Sequence, residues 1–116
     1  MKYSDAQRID KMRVTAEKLL TYLSEQHITR EQVLEEEFIR WTITTPLYNV
    51  GEHAYNLSDE FKSAYPEVPW AKISGLRHRL VHDYENTNWS LICTIIYEVL
   101  PEFLQSLIQI QNQLRE

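Results

Sequence analysis

The sequence contains a single cysteine, Cys93, with only two glycines and four prolines. One cysteine excludes an intramolecular disulfide, and no Cys/His spacing resembles a zinc site. An all-β fold needs many tight turns, which so few glycines and prolines do not supply. Long apolar runs are also missing. The best, Leu91 to Leu100, contains Tyr97 and Glu98 and is about half of the ~20 residues that a membrane-spanning helix requires. The opening stretch MKYSDAQRIDK lacks the apolar centre of a signal peptide. A soluble, cytoplasmic protein with no membrane partner is the expectation. Finally, positive charge is scarce: the formal net charge is −5. Nucleic-acid binders ordinarily carry an excess of Lys and Arg to displace counterions from phosphates. Any action on RNA would therefore depend on a local basic patch.

What is present fits one helical domain spanning residues 1–116, with 43% hydrophobic residues and enough chain to bury roughly two-thirds of its unfolded surface. Ile9, Met12, Ala16, Leu19, Leu20 and Leu23 recur at helical spacing, which predicts a first helix from about Asp5 to Ser24. Thr29 with Gln32 reads as a capping box opening a short helix. Glu35, Glu36 and Glu37 suit a first helical turn. A long helix is expected to follow to about Tyr65, weakened by the β-branched run at Thr42–Thr45 and kinked at Pro46. Tyr65-Pro66-Glu67-Val68-Pro69 is a clear break, and Pro69 fits the start of a helix ending near His82. Tyr84 to Thr87 form a turn. Asn88 caps a last helix to about Leu114, with its stripe running from Trp89 through Ile92, Ile96, Val99, Phe103, Leu107 and Ile110, and with a bend at Pro101. Four long helices and one short one, joined by brief connections, predict an all-α, antiparallel up-and-down bundle.

Residues 70–82, WAKISGLRHRLVH, contain no acidic residue and hold Lys72, Arg77 and Arg79 with two of the four histidines. This is the concentrated positive patch of an acidic chain. At about 100° per residue, Ile73, Leu76 and Leu80 share one face and should point to the core. Ala71, Gly75, His78 and His82 share the opposite face, and Arg77 sits at the edge of the apolar one. Glycine inside a helix costs roughly 1 kcal/mol against alanine, so Gly75 suggests the close approach of another backbone. A second copy of this helix across a two-fold axis would supply it and bring two His82 side chains together. Taken alone, Arg77, His82 and Tyr84 are three positions that also suit a surface charge, a core or surface histidine and a packing tyrosine. His78 and His82 at i, i+4 have the spacing of a metal pair but lack a third ligand, so neither a metal nor a cofactor is expected.

Arg77-His78-Arg79-Leu80-Val81-His82-Asp83-Tyr84 resembles the R-x4-H-x-Y motif of HepT-like toxins of the HEPN superfamily. The likeness extends through Val50-Gly51-Glu52-His53-Ala54, Leu57-Ser58-Asp59-Glu60, Tyr65 to Trp70, Gly75-Leu76-Arg77 and Asn88 to Phe103, covering roughly residues 5 to 110. His78 stands where relatives often carry Asn. The resemblance implies a homodimeric bundle with the motif helices at the interface and metal-independent RNA cleavage in the cleft between subunits. It also implies a partner, a minimal nucleotidyltransferase antitoxin of the MntA type, that silences the toxin by transferring AMP to Tyr84. Arg77 and His82 would be catalytic, with His78, Arg79 and Glu52 supporting or touching RNA. For Glu52, a solvated helix charge is the equal alternative. Two other roles remain open: a non-catalytic regulatory or substrate-binding subunit of a nucleotidyltransferase, and a purely structural helical dimer.

Overall fold

The computed structural model describes residues 2–82 and 84–115, and of His82 it describes the backbone. Helix α1 (Asp5–Glu25) opens on Ser4, whose side chain accepts from the Gln7 amide while Gln7 caps Ser4 in return. Its buried stripe of Ile9, Met12, Ala16, Leu19 and Leu23 is the one expected from the spacing, less Leu20, which is only partly buried. The helix ends in a Schellman arrangement. His27 takes the left-handed conformation at φ 52°, its amide bonds the Ser24 carbonyl, and the Ile28 amide bonds that of Leu23. Helix α2 (Arg30–Glu35) carries both bonds of the Thr29–Gln32 capping box. The Arg30 guanidinium and the Tyr97 hydroxyl then tie this corner together, the first donating to Thr94 Oγ1 at 2.9 Å and the second to the Ile28 carbonyl at 2.9 Å.

The single long helix expected up to Tyr65 is two helices. Helix α3 (Glu37–Tyr55) passes through Pro46 without a break, and helix α4 (Asp59–Ala64) follows after a turn. Ser58 creates the interruption. Its hydroxyl oxygen accepts from the Phe61 amide, capping α4, while its own amide and hydroxyl both donate to the Asp5 carboxylate at 2.9 and 2.7 Å. A local cap reinforced by a contact from the far end of the chain outweighs helical propensity. The bundle therefore has two short helices, α2 and α4, rather than one.

Helix α5 (Trp70–Arg77) begins directly after Pro69 and continues as a π-turn, His78–His82, before a 3-10 turn at Tyr84–Asn86. The remaining run, Trp89–Leu114, is a 26-residue helix. It comprises α6 (Trp89–Thr94), a second π-turn at Ile95–Val99 and α7 (Leu100–Leu114), and the Asn88 side chain caps it by accepting from the Leu91 amide. At Pro101, where a bend was expected, the structure places this π-turn directly upstream. Proline offers no N–H to the Tyr97 carbonyl and its ring crowds that oxygen, so widening the preceding turn makes room. By length and composition this run would suffice to cross a membrane, unlike the shorter stretch seen in the sequence. Here Ile92, Ile96, Leu100, Phe103, Leu107 and Ile110 are buried in the bundle core.

Helix α1 packs against both α3 and α7, and α5 packs most extensively on α3. Gly51 explains the last contact. A Cβ built there would lie 2.9 Å from the Arg77 amide nitrogen, 3.0 Å from the Ile73 carbonyl and 3.1 Å from the Leu76 Cβ. Only a residue without a side chain lets the two backbones meet so closely. Gly75, for which the close approach of a second copy was expected, has no such neighbour among the described residues of its own chain, where the nearest atom to its virtual Cβ is Arg79 Nε at 3.8 Å. Gly51→Ala should therefore force α3 and α5 apart and destabilise the fold by about 1–3 kcal/mol, the usual cost of overpacking. Gly75→Ala should be neutral or slightly stabilising in the monomer. Denaturant unfolding of both variants checks the contrast.

Candidate functional site

The elements around Arg77 are positioned from two sides. The Trp70 indole donates to the Tyr65 carbonyl at 3.0 Å and packs edge-on against Phe103 with ring centroids 5.7 Å apart. This anchors the start of α5. Ile73, Leu76 and Leu80 are buried as the helical spacing predicts, which sets the rotation of the helix and brings Arg77 out at its edge, facing α3. Because Gly51 has admitted the α5 backbone, the next residue, Glu52, lies within reach of Arg77. Glu52 Oε2 accepts from Arg77 Nε at 2.7 Å. Glu52 Oε1 accepts from Asn56 Nδ2 at 3.1 Å. The Arg77 guanidinium sits over the Tyr55 ring, its carbon 4.1 Å from the centroid.

The pair occupies a half-exposed margin, with Arg77 29% and Glu52 33% exposed. The Arg77 hydrogen bond holds the Glu52 carboxyl below its ordinary value of 4.5. Burial opposes this, and hydrogen bonds from Asn56 and Tyr48 assist. The same bond raises the Arg77 pKa further. Glu52 forms a specific ion pair with Arg77 while its side chain stays one-third exposed. Part of the positive patch on α5 is thereby balanced locally, leaving Lys72 and Arg79 as its exposed cations.

Ala71 and His78 are exposed on the outer face of α5, as their spacing implies. Beyond Arg77 the α-helical register ends. A π-turn spanning His78–His82 closes i to i+5 and changes the angular step from that of the preceding helix. The side chain of His82 and all of Asp83 lie outside the described residues. Tyr84 stands in the 3-10 turn, partly exposed, with its ring edge-on to Trp89 at 5.5 Å. The Arg40 guanidinium covers Trp89 at 5.5 Å, and the Thr87 hydroxyl donates to the Arg79 carbonyl. Among the described residues no group of three or more His, Cys, Asp or Glu is placed to hold a metal ion.

Sequence reasoning missed Tyr55, Tyr48, Asn56 and Arg40. A signal for three of them was present: Tyr48, Glu52 and Tyr55 recur at i, i+4 and i+7, and Asn56 follows Glu52 by one turn, away from the buried Leu47-Val50-Ala54 stripe of α3. Chemically, the arrangement is a cation held by a carboxylate and an aromatic face at a solvent margin, a geometry that suits gripping an oxyanion. Because the Glu52 pKa is depressed on folding, the pair contributes stability above about pH 4.5 and loses it as pH falls through the lowered value. Thermal unfolding from pH 3 to 7 should show wild type ahead of Glu52→Gln at neutral pH, with the gap closing in acid.

The family model described as ribonuclease HepT-like matches residues 6–110. A candidate RNase of Caldanaerobacter subterraneus subsp. tengcongensis is 32% identical over 80 residues, 69% of this chain and 67% of that protein. A candidate RNase of Methanocaldococcus jannaschii is 28% identical over 83 residues, 72% of this chain and 69% of that protein. The probable ribonuclease HepT of Thermococcus cleftensis is 25% identical over 76 residues, 66% of this chain and 69% of that protein. No solved structure matches. The match spans α1 to α7 and includes both Glu52 and Arg77, so the chain belongs to the HepT-like ribonuclease family and is an enzyme of that class.

Proposed function

We propose that this chain is the toxin of a toxin–antitoxin pair, a metal-independent endoribonuclease that works as a homodimer in the cytoplasm through Arg77 and His82. The observation that carries the reading is the Arg77 cluster: a guanidinium fixed on Glu52 and Tyr55, with its terminal nitrogens outside that bond. In the reaction the ribose 2′-OH attacks its own adjacent phosphate. The 2′-O–P bond forms, the P–O5′ bond breaks, the 2′ proton passes to a base and the 5′ oxygen receives a proton from an acid. Imidazole, with an ordinary pKa of ~6.5, serves either role near neutrality. One chain supplies one His82, so two copies divide base and acid between them. Arg77 would hold the phosphate and stabilise charge that develops in the transition state. His78 and Arg79, exposed on the same segment, would contact the RNA backbone.

Support for pairing comes from large apolar side chains left in water, among them Tyr55 at 54%, Trp41 at 51% and Val81 at 51% exposure. Ala71 and the open position at Gly75 would admit a second copy of α5. For regulation, we propose that an MntA-like nucleotidyltransferase transfers AMP to Tyr84. The phenol stands in an irregular turn rather than in the core, and the adduct would add bulk and negative charge where an RNA phosphate must lie.

Expression of the chain alone should arrest growth and cleave RNA, and purified His82→Ala should lose at least about a hundredfold in cleavage. Unchanged cleavage by that variant overturns the mechanism. Co-expression with the nucleotidyltransferase should add the mass of one or more AMP units, visible by intact-mass spectrometry and absent in Tyr84→Phe. Retention of the added mass in Tyr84→Phe would assign the modification elsewhere.

A further inference from the structure

An arginine can grip a phosphate through either of two edges, Nε with one Nη, or the two Nη nitrogens together. At Arg77 the first edge is taken, because Nε donates to Glu52 at 2.7 Å. That bond alone leaves the guanidinium free to pivot about the N–H···O axis. The Tyr55 ring removes this freedom. It lies one face away from the guanidinium carbon, 4.1 Å from centroid to carbon, and Tyr55 projects from the same α3 segment that carries Glu52. One turn of α3 thus supplies both constraints, a hydrogen bond along the edge and an aromatic surface against the face. Tyr55 itself is 54% exposed, so core packing does not account for its placement.

We infer that Tyr55 is a positioning residue for RNA cleavage: with Glu52 it confines Arg77 to a phosphate contact through its two Nη nitrogens. The inference rests on the ribonuclease reading above and assigns a role to a residue outside the R-x4-H-x-Y motif. The ring acts through its face, so Phe replaces it and an aliphatic side chain does not. Misplacing the cation weakens its hold on charge that develops in the transition state more than its hold on bound RNA. The loss therefore falls on kcat.

The test compares wild type, Tyr55→Phe and Tyr55→Leu as full chains on a fluorescently labelled single-stranded RNA of mixed sequence. Side-chain NMR of the Arg77 Nε–H serves as a readout independent of cleavage. Tyr55→Phe should retain wild-type kcat and the ring-current shift of the Arg77 signal. Tyr55→Leu should lose that shift and roughly tenfold in kcat, with KM little changed. If Tyr55→Leu cleaves like wild type, or if the Arg77 signal does not respond, the positioning role is wrong. A rise in KM alone would make Tyr55 a surface on which a base stacks. An activity loss that higher protein concentration restores would make it a contact between two copies. Either result replaces the proposal. Wild-type protein that cleaves no RNA sinks the ribonuclease reading and the positioning role with it, whereas active wild type with an unaffected Leu variant sinks the positioning role alone.

Discussion

The close passage of α3 over α5 at Gly51 is the constraint on which the site depends. With backbone atoms of the two helices separated by little more than van der Waals contact, a carboxylate on the neighbouring residue reaches the arginine without stretching, and an aromatic ring one turn further reaches its face. A larger residue at position 51 would need the helices to separate, and the short Glu52–Arg77 bond would lengthen with them. Packing and electrostatics at this point are therefore one feature. The buried Ile73, Leu76 and Leu80 fix the rotation of α5, the missing side chain at Gly51 fixes its distance, and the ion pair is the outcome.

Much of this is legible in the sequence. Helical spacing identified the buried faces of α1, α5 and the last helix, because a repeat of apolar positions reports burial directly. Capping residues at Thr29 and Asn88 marked helix starts, because the cap is a local hydrogen bond between residues three apart. The break after Tyr55 was only half legible: the Ser58–Phe61 cap is local, but its reinforcement by Asp5 across 53 positions is carried by no window of neighbouring residues. The role of Gly51 within the chain went unread for a related reason. Composition signals that a helix glycine needs a neighbour, but only the packing of α3 on α5 shows that Gly51 has one within the chain.

At the site, Arg77 and Glu52 were both singled out, the arginine from the motif and the glutamate from its place beside glycine, yet their union needed the crossing geometry. Tyr55 carried only the weak signal of its spacing from Tyr48 and Glu52. The π-turn after Arg77 was invisible to any count at 100° per residue. It matters because it begins directly after Arg77 and ends at His82, the two catalytic candidates. Such turns recur at functional sites in helices, and here one follows directly on Arg77 and carries the backbone of His82.

The anchoring of Arg77 on a carboxylate has a consequence for how an acidic enzyme meets a polyanion. A chain with net charge −5 generates little long-range attraction for RNA, and the pairing with Glu52 cancels part of what its basic segment would contribute. Encounter would then be slow and only weakly accelerated at low ionic strength. Binding would be decided at contact distance, by a few oriented donors. Discrimination among RNA strands would then rest on how directly their shape brings a scissile phosphate into that grip.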